Sequence, residues 1–120
     1  MASHEVKNVS ASAEVRRFPN AKIELVNVGG NTVGRFELLK GWKWSNDIKP
    51  VVKTEWCEAN HLQYIISGAY HVKMKDGTEF DLGPGDVASV PPGHDAWVIG
   101  EGPLVGVEFV GARVATEARK

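Results

Sequence analysis

The 120-residue sequence predicts an all-β domain of antiparallel sheets, closed as a sandwich or a barrel. Asp76-Gly77 sits between two short runs of strand-forming residues, the strongest local hairpin signal. Gly83-Pro84-Gly85-Asp86 is a second tight turn, and Pro91-Pro92-Gly93 halts the apolar run from Asp86 to Val90. Strand and turn alternate from Gly68 to Trp97 with no room for a helix. No segment elsewhere shows a helical period, while 13 Gly and 6 Pro supply the turns that a short all-β chain needs.

The elements follow in order. Residues 1–13 are small and polar and read as a loose tail, 14–111 as one domain, and 112–120 as a second tail. Ser12 to Phe18 fits a helical turn or an edge strand. Lys22 to Val28 alternates Ile23 and Leu25 against Glu24 and Val26, and ends at Gly29-Gly30-Asn31. Thr32 to Leu39 is a second strand. Trp42 to Pro50 is rich in turn formers and reads as a loop. Val51 to Glu58, Leu62 to Ser67, Tyr70 to Lys75 and Glu79 to Leu82 are the next strands. Val87 to Val90, Ala96 to Ile99 and Leu104 to Val110 complete the set.

Composition narrows the function. With 14 basic and 15 acidic residues there is no basic surface to recruit nucleic acid or an anionic membrane. No run of eighteen apolar residues occurs, so no membrane span is expected. The first residues lack the apolar stretch of a signal peptide. The single cysteine, Cys57, excludes an intramolecular disulfide. A cytoplasmic protein is the expectation.

Gly85, five residues, then Pro91-Pro92-Gly93 with a histidine nearby resembles the second motif of the cupins, Gly-x5-Pro-x-Gly-x2-His. Gly68 closes what resembles their first motif, His-x-His-x3-Glu-x6-Gly. The resemblance implies a double-stranded β-helix, the jelly-roll cupin barrel of two antiparallel sheets around an open pocket. It also implies a homodimer paired through an edge strand and an exchanged N-terminal segment, which would cover strand edges.

Counting back from Gly68, the positions marked in the family fall on Glu55, Cys57 and His61. The resemblance implies that these point into the barrel as metal ligands, with the usual types rearranged. Carboxylate, thiolate and imidazole all ligate a borderline divalent ion; zinc is the first expectation, and nickel, manganese and iron also fit. Period-2 geometry puts Glu55 and Cys57 on one strand face, with Trp56 on the other. The fourth family position is Ala96, not histidine. Either three protein ligands leave an open position, or His94 substitutes, or no metal is held. Asp95 is placed to orient the His94 imidazole or to cap the turn. Trp42 and Trp44, on one face of their loop, and Gln63, on the face of His61, are expected at the pocket.

Three functions are compatible with these residues. One is a metal-dependent isomerase, lyase or hydrolase acting on a small polar molecule, with Glu55, Cys57, His61 and His94 around the ion. Another is a metal-free enzyme in which Glu55 or His61 is the general acid or base. The last is a ligand-binding or sensory module without chemistry.

Overall fold

The computed structural model describes residues 4–12 and 14–110; the expected tail at 112–120 and the boundary at 111 lie outside the described residues. The chain forms, in order, α1 (Val9–Ser12), β1 (Glu14–Phe18), β2 (Ala21–Val28), β3 (Asn31–Leu38), α2 (Trp44–Asp47), α3 (Lys49–Val52) and β4 (His61–Ser67). Then come β5 (Ala69–Met74), β6 (Glu79–Leu82), β7 (Val87–Val90), β8 (His94–Ile99) and β9 (Leu104–Val110). The strands build two antiparallel sheets, β1-β2-β3-β9-β4-β7 and β6-β5-β8, which pack face to face as a jelly roll. Of the undecided segment from Ser12 to Phe18, Ser12 ends α1 and Glu14–Phe18 form an edge strand, β1, which among the described residues pairs with β2 alone.

Turn chemistry sets the register of the smaller sheet. Thr78 N–H donates to the Asp76 carboxylate (2.9 Å) and Gly77 N–H to Met74 O, closing the β5–β6 hairpin. Gly83 N–H donates to Asp86 Oδ2 (2.8 Å) while Asp86 N–H returns to Gly83 O. Alternation along β5 and β8 then turns Tyr70, Val72, His94, Ala96 and Val98 inward. His71 and Trp97 face outward, with ring centroids 4.8 Å apart. Glu79 (2.7 Å) and Asp81 (2.5 Å) flank the His71 imidazole and raise its pKa. Ile65 and Leu104 are fully enclosed between the sheets.

Two glycines are dictated by close approach. Gly68 has φ +77°, and a Cβ there would meet Pro103 O at 2.5 Å and Leu104 Cα at 2.7 Å, backbone that cannot yield. At Gly106 a Cβ would stand 2.4 Å from the Phe36 ring, so the missing side chain is what lets Phe36 fill the centre.

The segment after β3 departs from expectation. The loop expected over Trp42 to Pro50 and the strand expected over Val51 to Glu58 are instead an arch of two one-turn helices, α2 and α3, across one opening of the roll. Trp44, Ile48 and Val52 recur at a spacing of four and are all buried, so a helical stripe overrides the strand preference of Val51-Val52. Local hydrogen bonds support it. The Asp47 carboxylate accepts from Lys43 N–H (3.0 Å), and Ser45 N–H donates to Asp95 Oδ1 (3.1 Å). Pro50 occupies the first turn of α3, where its missing N–H costs nothing, and Lys53 ends that helix with φ 61°. Trp56, expected on the strand face opposite Glu55 and Cys57, is half-buried.

Candidate functional site

The arch returns to the roll at Cys57, which bridges to the start of β8: Cys57 N–H donates to His94 O and Gly93 N–H to Cys57 O, both at 2.8 Å. This pins the thiol beside the His94 imidazole without a strand. His61, the first residue of β4, is held opposite Val90 of β7. The structure therefore gathers Cys57, His61 and His94, with one candidate ligand atom from each lying within 4.8 Å of the others.

The two imidazoles are aimed by their other nitrogens. His94 Nδ1–H donates to Pro91 O (2.8 Å), a carbonyl that can only accept, so Nε2 is left as the free lone pair. His61 Nδ1–H donates to Glu108 of β9. His61 Nε2 faces Cys57 Sγ at 3.8 Å, and the two rings are tilted by 57° with centroids 4.9 Å apart. Glu108 is 3% exposed and anchors this wall. Besides His61, it receives Leu62 N–H (2.9 Å), beside the register shift in the β4–β9 ladder, and Gln63 Nε2–H (2.9 Å). Tyr70 O–H donates in turn to Gln63 Oε1.

Burial alone would raise the Cys57 thiol, but hydrogen bonds and charge from His61 and His94 outweigh it and bring the pKa down to about 6. Burial likewise disfavours the His61 cation, yet its contacts to Cys57 and Glu108 prevail and raise the pKa to about 9. The Tyr70 hydroxyl is pushed upward by burial and the Glu108 charge, so it remains a proton donor.

Of the residues singled out in the sequence, Cys57, His61, His94, Gln63, Trp42, Trp44 and Ala96 all line one cavity of about 80 Å³. Glu55 does not: it is exposed and absent from that lining, because the strand whose alternation turned it inward is a helix and a turn. The metal-ligand and general-base roles expected for Glu55 are corrected accordingly. Asp95 does not orient His94; its carboxylate accepts from Ser45 and Ala96 N–H. The acidic residue missed from sequence is Glu108. Its signal was a lone charge in phase with Leu104 and Gly106 on the inward face of an apolar strand. The remaining wall is apolar, with Ile23, Phe36 and Leu38 from the large sheet and Val72 and Val90 beside Ala96.

Cys57, His61 and His94 could hold a metal ion. Ligating histidines characteristically donate their second N–H to a carboxylate or a backbone carbonyl, and His61 and His94 each do so. The Sγ to Nε2 separation of 3.8 Å is close to the roughly 3.5 Å between two ligands of a tetrahedral zinc. Two imidazoles and one thiolate suit zinc and leave a coordination position free.

The sequence profile of the EutQ-like cupin domain family matches residues 48–110. The chain belongs to that family. The cupin resemblance is thus borne out as a matter of family. The cupin roll resembles the KdgF protein from Halomonas sp. (TM-score 0.59, 19% identity, covering 92% of this chain and 94% of that one). It also resembles the polyketide cyclase RemF from Streptomyces resistomycificus (TM-score 0.62, 14% identity, 92% and 80% covered). A third likeness is to the oxalate decarboxylase of Lactobacillus farciminis in its formate complex (TM-score 0.60, 18% identity, covering 82% of this chain). The chain spans 31% of the length of that decarboxylase. At these identities the likeness is one of fold. No curated protein matches the chain in sequence. Among the described residues no helix is long and apolar enough to cross a membrane.

Proposed function

We propose that this cupin is a metal-dependent enzyme of the isomerase, lyase or hydrolase type, acting on a small molecule in the cavity above Cys57, His61 and His94. The observation that carries this reading is the paired tethering of the imidazoles, which presents both Nε2 atoms towards one buried thiolate. A divalent ion, zinc by donor set, would supply Lewis acidity to a carbonyl or to water. The chain's own contribution is orientation and the exclusion of water. Glu108 fixes the His61 tautomer, Pro91 O fixes that of His94, and the apolar wall keeps bulk solvent from the open face.

Proton competition tests the reading. Metal must displace the proton that Glu108 and Cys57 hold on His61 up to a pKa of about 9. Between about 6 and about 9 the thiol is already ionised, so one proton leaves per ion bound. Apparent zinc affinity is expected to rise roughly tenfold per pH unit over that range, flatten above it, and fall more steeply below about 6, where Cys57 also takes a proton. Competition titration against a zinc chelator at several pH values measures this. An affinity indifferent to pH would mean that these residues are not the ligands.

A second reading is favoured by the continuous chain Cys57–His61–Glu108, a thiol, an imidazole and a buried carboxylate in sequence. Without a metal, His61 would act as general acid or base, oriented by Glu108. The two readings part on whether activity survives exhaustive chelation. The expected homodimer and cytoplasmic setting remain parts of this proposal.

A further inference from the structure

The outer face of the large sheet is divided in two. Over β2 and β3 it is charged: Lys22 stands opposite Glu37 and Glu24 opposite Arg35, whose guanidinium lies 3.3 Å from the Glu24 carboxylate. Over β9, β4 and β7 it is apolar. Gln63, Ile65 and Glu108 are buried on the inner face, and the alternate positions Leu62, Tyr64, Ile66 and Phe109 point outward, between 40% and 49% exposed. Val87 of β7, opposite Tyr64, is 68% exposed, and Val107 of β9 flanks Tyr64 on its other side. None of these six residues is charged, and the small hydroxyl of Ser89, opposite Leu62, adds no charge.

An antiparallel sheet with one solvated face normally alternates apolar and polar residues. β4 and β9 instead place apolar side chains outward at every alternate position, as strands covered on that face do. The exposed apolar area is on the order of 500 Å², near the top of what a monomer shows. A stable interface takes roughly 800 Å² from each partner, about two-thirds of it apolar in homodimers, which this patch matches. Residues 111–120, which follow β9, contain one large apolar residue, Val114, too few to cover the patch. No Lys or Arg stands at the outward positions of β4, β7 and β9, so an anionic membrane finds no cation there. The sheet edges are poor templates for pairing. β7 is four residues long and stopped by Pro91, and β1 carries Glu14, Arg16 and Arg17. An uncharged patch, by contrast, is complementary to itself, because a twofold rotation opposes no like charges.

We infer that a second copy of this chain packs on the outer face of β4, β7 and β9, about a twofold axis near Tyr64. Tyr64 is the middle outward residue of the middle strand, the place where an aromatic anchor contributes most to an interface. The inference rests on the homodimer named above and gives it a surface, and it is independent of the metal. His61, Gln63 and Glu108 lie on the inner face of the same two strands, so the partner covers the back of the wall that holds the site.

Sedimentation velocity of the full chain, from low to high micromolar concentration, tests this with three variants checked for folding by circular dichroism. Wild-type protein is expected to reach the two-chain mass. Tyr64→Glu and Phe109→Glu each set like charges against each other across the axis and should weaken the dimer at least roughly hundredfold. Val15→Glu alters a residue 46% exposed on β1, at the far end of the same face, and should leave the dimer intact. Hydroxyl-radical footprinting of wild-type protein should show Leu62, Tyr64, Ile66 and Phe109 protected as concentration rises, and this decides alone if a charged variant fails to fold. A dimer that survives both charged variants, is broken by Val15→Glu, or leaves these four side chains reactive would overturn the surface and keep the homodimer. Wild-type protein that stays monomeric would overturn both. In that monomer, protection of the patch at every concentration would assign its cover to residues 111–120, and a reactive patch would assign it to a different partner.

Discussion

Replacing Glu108 with alanine is expected to cost about 3–5 kcal/mol of stability, read as a fall in the urea midpoint. The carboxylate is 3% exposed and satisfies the His61 imidazole, Leu62 N–H and the Gln63 amide together. Its loss strands buried donors from two residues and leaves the His61 proton with Cys57 as its remaining counter-charge. Glu108→Gln separates this structural role from the site. The amide keeps the shape and can still accept from Leu62 or Gln63, so the fold should survive. Its NH₂ group, however, is a donor that can face His61 Nδ1, which forces the imidazole proton onto Nε2 and away from the tautomer that ligates. Zinc affinity is expected to fall about 10–100-fold in that variant, and the His61 pKa to drop from about 9 towards its ordinary value. Zinc titration and the histidine NMR titration check the two together. A Glu108→Gln protein with unchanged zinc affinity would show that Glu108 serves the fold only.

Cys57→Ser should have the larger effect on the site itself. The thiol is 3% exposed, held at about 6 by the two imidazoles, and is the only sulfur of the cluster. Serine occupies nearly the same volume but keeps its proton at neutral pH, so it supplies neither the charge nor the soft donor. Zinc affinity is expected to drop beyond the roughly 100-fold that bounds losses in the outer shell. Cobalt substitution gives a direct signature. The wild-type cobalt protein should show a sulfur-to-cobalt charge-transfer band in the near ultraviolet, and the Cys57→Ser protein should lack it. Retention of the band in the serine variant would remove Cys57 from the coordination sphere.

The strands and their turns were legible because their signals are local. Asp76-Gly77 and Gly83 to Asp86 close where their backbone and carboxylate chemistry places them, and alternation along β8 puts His94 with Ala96 and Trp97 on the far side. The arch was not legible as read, because Val51-Val52 carries strand propensity while the competing signal is spread over nine residues from Trp44 to Val52. Burial of that stripe decided the outcome. Glu55 went astray for the same reason, since a period of two cannot be counted through a helix and a turn. Cys57 reaches the site by a route that alternation does not describe, through its backbone bridge to His94. Glu108 stands 47 residues from His61, and nothing local announces the pairing. Only its charge, in phase with Leu104 and Gly106, marks it as a residue that must find partners inside.

Elemental analysis of the purified protein, wild type beside Cys57→Ser and His61→Ala, bears most directly on the central claim. The predicted result is close to one divalent ion per chain in the wild type, zinc foremost, with loss from both variants although each remains folded. Wild-type protein that stays free of metal after supplementation with zinc, nickel, manganese and iron would contradict it. So would variants that retain the full complement of metal.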